Sequence, residues 1–304
     1  DCCAAPRTAI GRLFYGFYEC LCCPDPCFEP SWSILRDAGF FLDAARPQTQ
    51  MRFRINSANR VQRPDRAEFI WAQIGGKGPR PTTAGQGIAR TDIHALSLYT
   101  EGATGNVGVS VEVPYLAVDP NNSAPNSGFG DVIIGTKTML LECELLQIAT
   151  GFKTYIPAGA ANKGLGTGHT SLEPSLLLTL KLSPESYLQG QLAYWIPLGG
   201  TPGVQGNVFH WHFSYNRLLC SCGKDIQLVG VIELDGYDFL NGSYTSERDG
   251  QTLISARDAY AVSIGPGVRL NLCDKLDFGV GSKFAITTDD VGEYIIRADL
   301  RWRF

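Results

Sequence analysis

The sequence predicts an all-β fold: a transmembrane, antiparallel, up-and-down β-barrel of about 12 strands, preceded by a Cys-rich N-terminal periplasmic segment. Three observations support this prediction. Apolar and charged residues alternate along many segments, short connections alternate with long ones, and the polar face carries too many charges for a dry core. The sequence also ends on an aromatic residue, Phe304, which is typical of the assembly signal of bacterial outer-membrane barrels.

The overall composition excludes some classes of protein but identifies no partner. In 304 residues, 26 Lys and Arg stand against 30 Asp and Glu, and the lack of basic runs argues against nucleic-acid binding. No stretch approaches the ~18 uninterrupted apolar residues of a transmembrane helix, so a membrane span would have to consist of strands. Because the sequence begins at Asp1 without a basic and apolar leader, we expect that any signal peptide has been removed or left out.

Strand periodicity is clearest near the C-terminus and recurs upstream. Between Tyr294 and Phe304, apolar residues occupy one parity and charged residues the other, and a strand directs the two sets to opposite faces. Similar alternation indicates about twelve strands in chain order. They cover 51–57, 92–100, 105–115, 130–141, 145–156, 171–182, 188–198, 209–216, 226–236, 260–272, 275–286 and 294–304.

The connections between these strands are asymmetric. Links after the even-numbered strands are short, and those after the odd-numbered strands are mostly long and rich in Gly, Pro, Asn, Ser and Asp. The short links are 101–105, 142–144, 183–186, 218–225 and 273–274, and the long ones include 58–91, 116–129, 157–170 and 237–259. This asymmetry is typical of outer-membrane barrels, and an even strand count predicts that both termini are periplasmic.

The polar parity is heavily charged. In a soluble β-sandwich or jelly roll, the alternative fold, burying so many ions would cost several kcal/mol per unpaired group. In a barrel, these residues line a lumen, where water or mutual pairing satisfies them. The predicted lumen-lining residues are Arg52, Arg54, Glu112, Asp131, Lys137, Lys153, Glu173, Lys181, His210, His212, Glu233, Arg269, Asp277, Lys283, Arg297, Asp299 and Arg301; Asp235 and Arg303 share their parity.

Aromatic residues near the strand ends suggest interfacial girdles. The candidates are Tyr155, Tyr187, Tyr194, Trp195, Tyr215, Trp302 and Phe304. Tyr155 and Trp195 have inward parity, however, which weakens this interpretation for both residues.

The barrel region contains many short, glycine-rich blocks. They are Gly128–Asp131, Gly135–Lys137, Tyr155–Gly159, Gly164–His169, Leu172–Pro174, Trp195–Pro197, Gly265–Arg269 and Leu300–Phe304. These blocks resemble the outer-membrane barrel proteins named as transporters of the MetA pathway of phenol degradation. The resemblance covers residues 50–304 and implies a membrane barrel that transports small solutes, without specifying the cargo.

Cysteines are concentrated at one predicted end of the barrel. The disulfide candidates are Cys2, Cys3, Cys20, Cys22, Cys23, Cys27, Cys143, Cys220, Cys222 and Cys273, and the last four fall in predicted short turns. An even count in an exported protein favours disulfides over metal, and neither paired C-x2-C motifs nor nearby histidines complete a zinc pattern. We therefore expect no metal and no cofactor, and the pairing stays open.

Residues 1–48 are predicted to form a Cys-rich periplasmic cap or plug, and residues 49–304 the barrel. The N-terminal segment has an apolar stripe that is expected to dock as a short helix or strand, although Gly39 weakens a helix. The stripe consists of Ile34, Leu35, Phe40, Phe41 and Leu42.

An enzymatic function is not expected. His169, Ser171 and Glu173 invite a hydrolase interpretation, but Ser171 and Glu173 have inward parity, whereas barrel lipases place their catalytic groups outward. The sequence also lacks a nucleophile elbow of the G-x-S-x-G type. His210 and His212 could hold a metal, but His-aromatic-His on a strand is more often a polar lumen lining.

The sequence therefore predicts an outer-membrane channel or transporter for small solutes with a polar, charged lumen and a weak anion preference. The alternative is a structural barrel that anchors a periplasmic or extracellular assembly through its Cys-rich end. The expected partners are outer-membrane lipid, small solutes, the barrel-assembly machinery through Phe304, and a homo-oligomer or disulfide-linked assembly, but no nucleic acid.

Overall fold

The computed structural model describes residues 31–61, 87–223, 225–246, 252–287 and 292–304, together with residues 8, 78–79, 81–83 and 248. The strands are β1 (Gln50–Val61), β2 (Thr91–Thr104), β3 (Val107–Pro120), β4 (Asn126–Phe129), β5 (Val132–Glu142), β6 (Leu146–Ile156), β7 (Thr170–Ser183), β8 (Ser186–Leu198), β9 (Val208–Cys222), β10 (Ile226–Phe239), β11 (Ser243–Thr245), β12 (Leu253–Ser255), β13 (Ala259–Leu272), β14 (Leu276–Ala285) and β15 (Tyr294–Arg303). Two 3-10 turns occur, Ile34–Arg36 before β1 and Ala161–Lys163 between β6 and β7, and no helix of the described residues is long and apolar enough to cross a membrane.

Twelve of these strands form a closed antiparallel barrel, which confirms the predicted fold. The sheet closes at β1, which pairs with β2 on one side and with β15 on the other, so that Gln50 faces both Glu101 and Arg303. The short strand β4 extends the wall beside β3, and β11 and β12 form a separate hairpin within the long connection between β10 and β13.

The barrel has a short-turn end and a long-loop end. The turns 105–106, 143–145, 184–185, 223–225 and 273–275 lie at the short-turn end, and the longer connections lie at the opposite end. Two predicted loops contain unexpected strands, because 116–129 includes β4 and 237–259 includes the β11–β12 hairpin.

Alternation of side chains along each strand separates an apolar outer face from a polar inner face. Phe278 is 48% exposed on the outside, whereas its neighbour Asp277 is fully buried inside, and β9 repeats the pattern with Phe213 outward and Ser214 inward. Such an outward apolar band is what a lipid environment requires, because lipid provides no partners for charged groups.

The predicted strand ends need correction at β9. The sequence suggests a turn over 218–225, but β9 continues to Cys222 and pairs there with Ile226 of β10. Cys220 and Cys222 therefore lie on a strand at the short-turn end, and not in a turn. Exposed residues beyond the membrane can still extend a hairpin, which is why the composition of this segment did not reveal its pairing.

The aromatic-girdle interpretation is wrong for three of its candidates. Tyr155, Tyr187 and Trp195 are buried inside the barrel, as the inward parity of Tyr155 and Trp195 implied. Trp302 and Phe304 do lie outside, with ring centroids 5.4 Å apart in a stacked arrangement.

Residues 31–48, which we call the plug segment, lie inside the barrel before β1 begins. Ile34 and Ala38 are fully inaccessible to solvent, and the 3-10 turn Ile34–Arg36 contacts β7, β8 and β9. Arg36 Nη2 donates a hydrogen bond to the Glu144 carbonyl at the short-turn end (3.2 Å). From there the segment rises to Phe40 and returns to the short-turn end at the start of β1. Of residues 1–30, the structure describes Thr8 alone.

Candidate functional site

The inner face of the barrel contains every residue that the sequence predicts for the lumen. Each has a buried or half-buried side chain, and none belongs to the exposed outer band. The lumen also contains acidic residues that were not predicted for it: Glu101, which was assigned to a turn, and Asp37 and Asp43 of the plug segment. In the structure β2 extends to Thr104, and only this longer strand shows that Glu101 faces inward. The sequence of the plug segment has no periodic pattern from which its partners could be predicted.

Charged groups near the short-turn end form a dense network. Arg269 Nη1 lies 2.5 Å from Asp277 Oδ1, and Arg269 Nη2 lies 3.0 Å from Asp299 Oδ2. Arg301 contacts Asp277 Oδ1 through Nε (2.8 Å) and Asp37 of the plug segment through Nη1 (2.7 Å). Because these residues are almost wholly buried, their charges are tolerated only as a mutually paired set.

The backbone of the plug segment is held by side chains of the barrel wall. Irregular backbone inside a membrane protein must find hydrogen-bond partners, because no regular ladder supplies them. Glu233 Oε1 accepts from the N–H groups of Phe40 (3.0 Å) and Phe41 (3.1 Å), and Gln189 Oε1 accepts from Gly39 N–H (3.0 Å). Gln191 Oε1 accepts from the Asp43 N–H (2.7 Å).

The carbonyl groups of the plug segment are satisfied from the same wall. Arg269 Nε donates to the Ala38 carbonyl (3.0 Å), Arg301 Nη2 to the Asp37 carbonyl (2.6 Å), and Asn216 Nδ2 to the Leu35 carbonyl (2.9 Å). Inner-wall donors and acceptors thus match successive peptide groups of the segment. This complementarity fixes the position of the segment in the barrel.

Phe40 of the plug segment occupies a recess made by glycines. A Cβ added to Gly279 or Gly281 would come 2.7 Å from the Phe40 ring, and the Arg269 guanidinium lies 4.4 Å from the ring centroid on another side. Gly267 completes the recess. The absence of side chains at these wall positions therefore creates the space for the aromatic ring.

Asp43 connects the plug segment to the opposite wall. Its Oδ2 lies 2.6 Å from Lys153 Nζ, and Lys153 also approaches Glu173 (3.5 Å). Burial raises the pKa of Asp43, but the cationic Lys153 and Lys137 together outweigh burial and hold this pKa well below its ordinary value. Asp43 therefore carries a charge at neutral pH.

A cavity of about 330 Å³ lies between the tip of the plug segment and the long-loop end of the barrel. Phe40, Phe41 and Asp43 form part of its lining, and wall residues of the upper barrel form the rest. Its aromatic wall consists of Tyr155, Trp195 and Tyr237. Its charged lining comprises Arg54, Glu112, Asp131, Lys153, Glu173, Lys283 and Arg297.

The histidines border this cavity. His210 Nδ1 lies 3.1 Å from His212 Nε2, and the His210 ring stacks on Tyr237 with centroids 5.5 Å apart. His210 Nε2 lies 3.5 Å from Glu173, which also accepts a hydrogen bond from Tyr155 (2.6 Å). Within the described ranges, no group of three or more His, Cys, Asp or Glu residues is arranged to hold a metal ion.

The residues of the hydrolase interpretation lie on the inner wall. His169 Nδ1 is 3.2 Å from the Thr167 carbonyl, and its ring is 5.9 Å from that of Trp195. Ser171 is completely buried on β7. Both Ser171 and Glu173 point inward, as their parity predicts.

Three of the four barrel cysteines are not in disulfides. Cys220, Cys222 and Cys273 have free, exposed thiols. Cys220 and Cys222 are separated by two residues of strand, about 6.7 Å, with parallel Cα–Cβ directions, which is unsuitable for a disulfide between them. Cys143 is buried at the same end of the barrel. Cys2, Cys3, Cys20, Cys22, Cys23 and Cys27 lie outside the described residues.

Comparisons with known proteins agree with the barrel fold. An outer membrane channel from Pseudomonas putida F1 aligns with a TM-score of 0.58 at 9% identity, over 91% of this chain and 100% of that chain. The NanC porin aligns with a TM-score of 0.47 at 10% identity, over 83% of this chain and 100% of that chain. A comparison with curated proteins found no match. The family model described as "Putative MetA-pathway of phenol degradation" matches residues 79–295, and because this match spans most of the sequence, the chain belongs to that family.

Proposed function

We propose that this chain is an outer-membrane channel for small solutes and that the plug segment narrows its pathway. The observation that carries the proposal is the combination of an apolar outer band with a closed inner face that is charged and encloses a cavity of about 330 Å³. A purely structural barrel needs no such space. The similar fold of the Pseudomonas putida outer membrane channel supports the proposal.

The short-turn end is proposed to face the periplasm. The even strand count then places both ends of the barrel sheet on that side, and residues 1–48 constitute a periplasmic segment whose last part enters the barrel as the plug segment. The exposed Phe304 beside Trp302 is accessible at this end for the barrel-assembly machinery. The chain contributes binding and passage of solutes and catalyses no reaction.

Passage can be tested by liposome swelling with solutes of increasing size. The matched comparison is between the full chain and a chain truncated to residues 49–304, which lacks the plug segment. We expect the full chain to admit only small solutes and the truncated chain to admit larger ones. If neither chain admits any solute although both are inserted and folded, the channel proposal is wrong.

The orientation can be tested separately with the exposed thiols of Cys220, Cys222 and Cys273. A membrane-impermeant maleimide should label them only after the outer membrane is permeabilised, and peptide mapping should identify the labelled positions. A cysteine introduced for Ser243 at the long-loop end provides the control that should react in intact cells. Labelling of Cys273 in intact cells would contradict a periplasmic short-turn end.

A further inference from the structure

Arg297 differs from the other cations on the inner wall. Within the part of the barrel that the structure describes, every other inward-facing Lys or Arg has a carboxylate oxygen within 4.0 Å, whereas Arg297 has none. The pairs are Arg52–Asp37, Arg54–Glu112, Lys137–Glu101, Lys153–Asp43, Lys181–Glu144, Arg269–Asp277, Lys283–Asp235, Arg301–Asp277 and Arg303–Asp277. A half-buried guanidinium with no carboxylate in contact is an attractive position for an anion.

Two hydrogen bonds hold the Arg297 side chain in place without neutralising it. Its Nε donates to Asn56 Oδ1 (2.7 Å), and its Nη1 donates to the Phe40 carbonyl (2.5 Å). These bonds use two of the five N–H donors of a guanidinium. The guanidinium also lies 4.4 Å from the centroid of the Phe41 ring. Arg297 is therefore a fixed cation with donors to spare, and it lines the cavity.

The remainder of the cavity favours an aromatic body. Tyr155, Trp195 and Tyr237 line it from the wall, and Phe41 lines it from the plug segment. Lys283 Nζ, which pairs with Asp235, lies 4.8 Å from the Phe41 ring centroid and 5.3 Å from that of Tyr237. The volume of about 330 Å³ is at the lower end of the range for small-molecule pockets.

We propose that this cavity is a binding site for a small aromatic carboxylate along the solute pathway. The carboxylate binds the free donors of Arg297, and the ring packs against the aromatic wall. The proposal rests on the proposed channel function, for which it specifies a substrate class. An inorganic anion would use Arg297 without the wall, and a neutral aromatic molecule would use the wall without Arg297.

Isothermal titration calorimetry on the full chain in detergent tests the ligand class directly, with benzoate, acetate and benzyl alcohol as probes. We expect benzoate to bind at least about tenfold more tightly than either other probe, because only benzoate uses both features. Equal affinity for benzoate and acetate, or for benzoate and benzyl alcohol, would overturn the proposal.

Substitutions of Arg297 test its role. Arg297→Gln should weaken benzoate binding at least about tenfold and leave benzyl alcohol binding unchanged, because it removes the charge-assisted bonds. Arg297→Lys should recover part of the affinity, and Arg217→Gln on the exposed surface is the matched control that should bind like the wild type. Undiminished benzoate binding by Arg297→Gln would refute the assignment.

If Arg297→Gln does not fold, as judged by heat-modifiable gel mobility, the discrimination among probes by the wild-type chain decides the proposal alone. Calorimetry does not depend on conduction. A chain that binds benzoate but passes no solute would contradict the channel function alone, and a chain that conducts without discriminating the probes would contradict this site alone.

Discussion

Arg301 illustrates how single residues allow a charged interior in this barrel. It is fully buried, yet it contacts the carboxylates of Asp37 and Asp277 and also donates to the Asp37 carbonyl. One side chain thus joins two parts of the chain, the plug segment and the wall. Loss of Arg301 would leave the buried carboxylates of Asp37 and Asp277 with less positive charge nearby.

Arg301→Met should destabilise the protein by about 3 kcal/mol, because it breaks a buried ion-pair network while roughly conserving side-chain size. Urea unfolding in lipid vesicles would measure the effect. Arg217→Met, on the exposed surface, should change the free energy of unfolding by less than about 0.5 kcal/mol. A cost for Arg301→Met no greater than that of the control would show that the network contributes nothing.

The contribution of Asp43 should depend on pH in a defined direction. Its pKa in the folded protein lies below the ordinary value of 3.8, so its stabilising effect is complete above that value and is lost as the pH falls toward the folded pKa. Wild type and Asp43→Asn should therefore differ by about 2 kcal/mol between about pH 5 and pH 8, with the difference shrinking below about pH 4. Unfolding curves of both proteins over this range check it. A difference that instead grew in acid would contradict the pairing with Lys153.

Sequence parity predicted the face of each inner residue but not its partner. Arg297 has the same inward parity as Asp299 on its own strand and Asp277 on the next. In the structure, Arg269 and Arg301 contact these carboxylates and Arg297 does not. Period-two alternation predicts whether a side chain points inward or outward. Ion pairing also depends on the depth of the side chain in the barrel and on its rotamer, and both are set only when the barrel closes.

The plug segment and the strands around it depend on each other's shape. Phe40 fits a recess of three wall glycines, and Glu233 of the wall accepts hydrogen bonds from the Phe40 and Phe41 N–H groups. The sequence predicted a docked apolar stripe, but an irregular segment gives no periodic signal for its path. Strands β4, β11 and β12 escaped prediction for a related reason, since each has only three or four residues.

Gly279→Ala should destabilise the plug segment. The new Cβ would come within 2.7 Å of the Phe40 ring, so the ring or the wall must move, at a cost of about 1–3 kcal/mol. Gly102→Ala in β2 is the matched control, because nothing lies within 4 Å of its added Cβ. Limited proteolysis of the segment and unfolding in vesicles would detect the difference. Equal behaviour of the two variants would argue against the recess.

The outer face of β7 should show the depth dependence of a membrane strand. Leu178→Asp, near the middle of the strand, should cost about 2 kcal/mol or more, whereas Leu182→Asp, near its short-turn end, should cost about 1 kcal/mol or less. Folding in vesicles measures both. A smaller cost at Leu178 than at Leu182 would place the membrane elsewhere.

In the complete barrel, cations and carboxylates of the lumen are more nearly equal in number than the sequences of the strands suggest. The predicted inner face has more cations than carboxylates and indicated a weak anion preference, but Glu101, Asp37 and Asp43 offset much of this positive excess. Closure, strand count and loop asymmetry were predictable because they follow from alternation and turn spacing. The occupied lumen was only partly predictable, because it depends on contacts between residues far apart in sequence.

Ion selectivity should reflect this balance. We expect a weak anion preference in the full chain and a stronger one in Asp43→Asn, which leaves the positive charge of Lys153 less compensated in the cavity. Glu185→Gln in an exposed turn is the control and should resemble the wild type. Reversal potentials under a salt gradient measure the preference, and strong cation selectivity would be the opposite result.

The unitary conductance of purified protein in planar lipid bilayers tests the central claim, that this barrel is a channel narrowed by its plug segment. The full chain should produce small, uniform current steps. A chain truncated to residues 49–304 should produce steps several times larger, because water replaces the segment in the lumen. Silence from both inserted, folded chains, or identical conductance with and without the segment, would contradict the account.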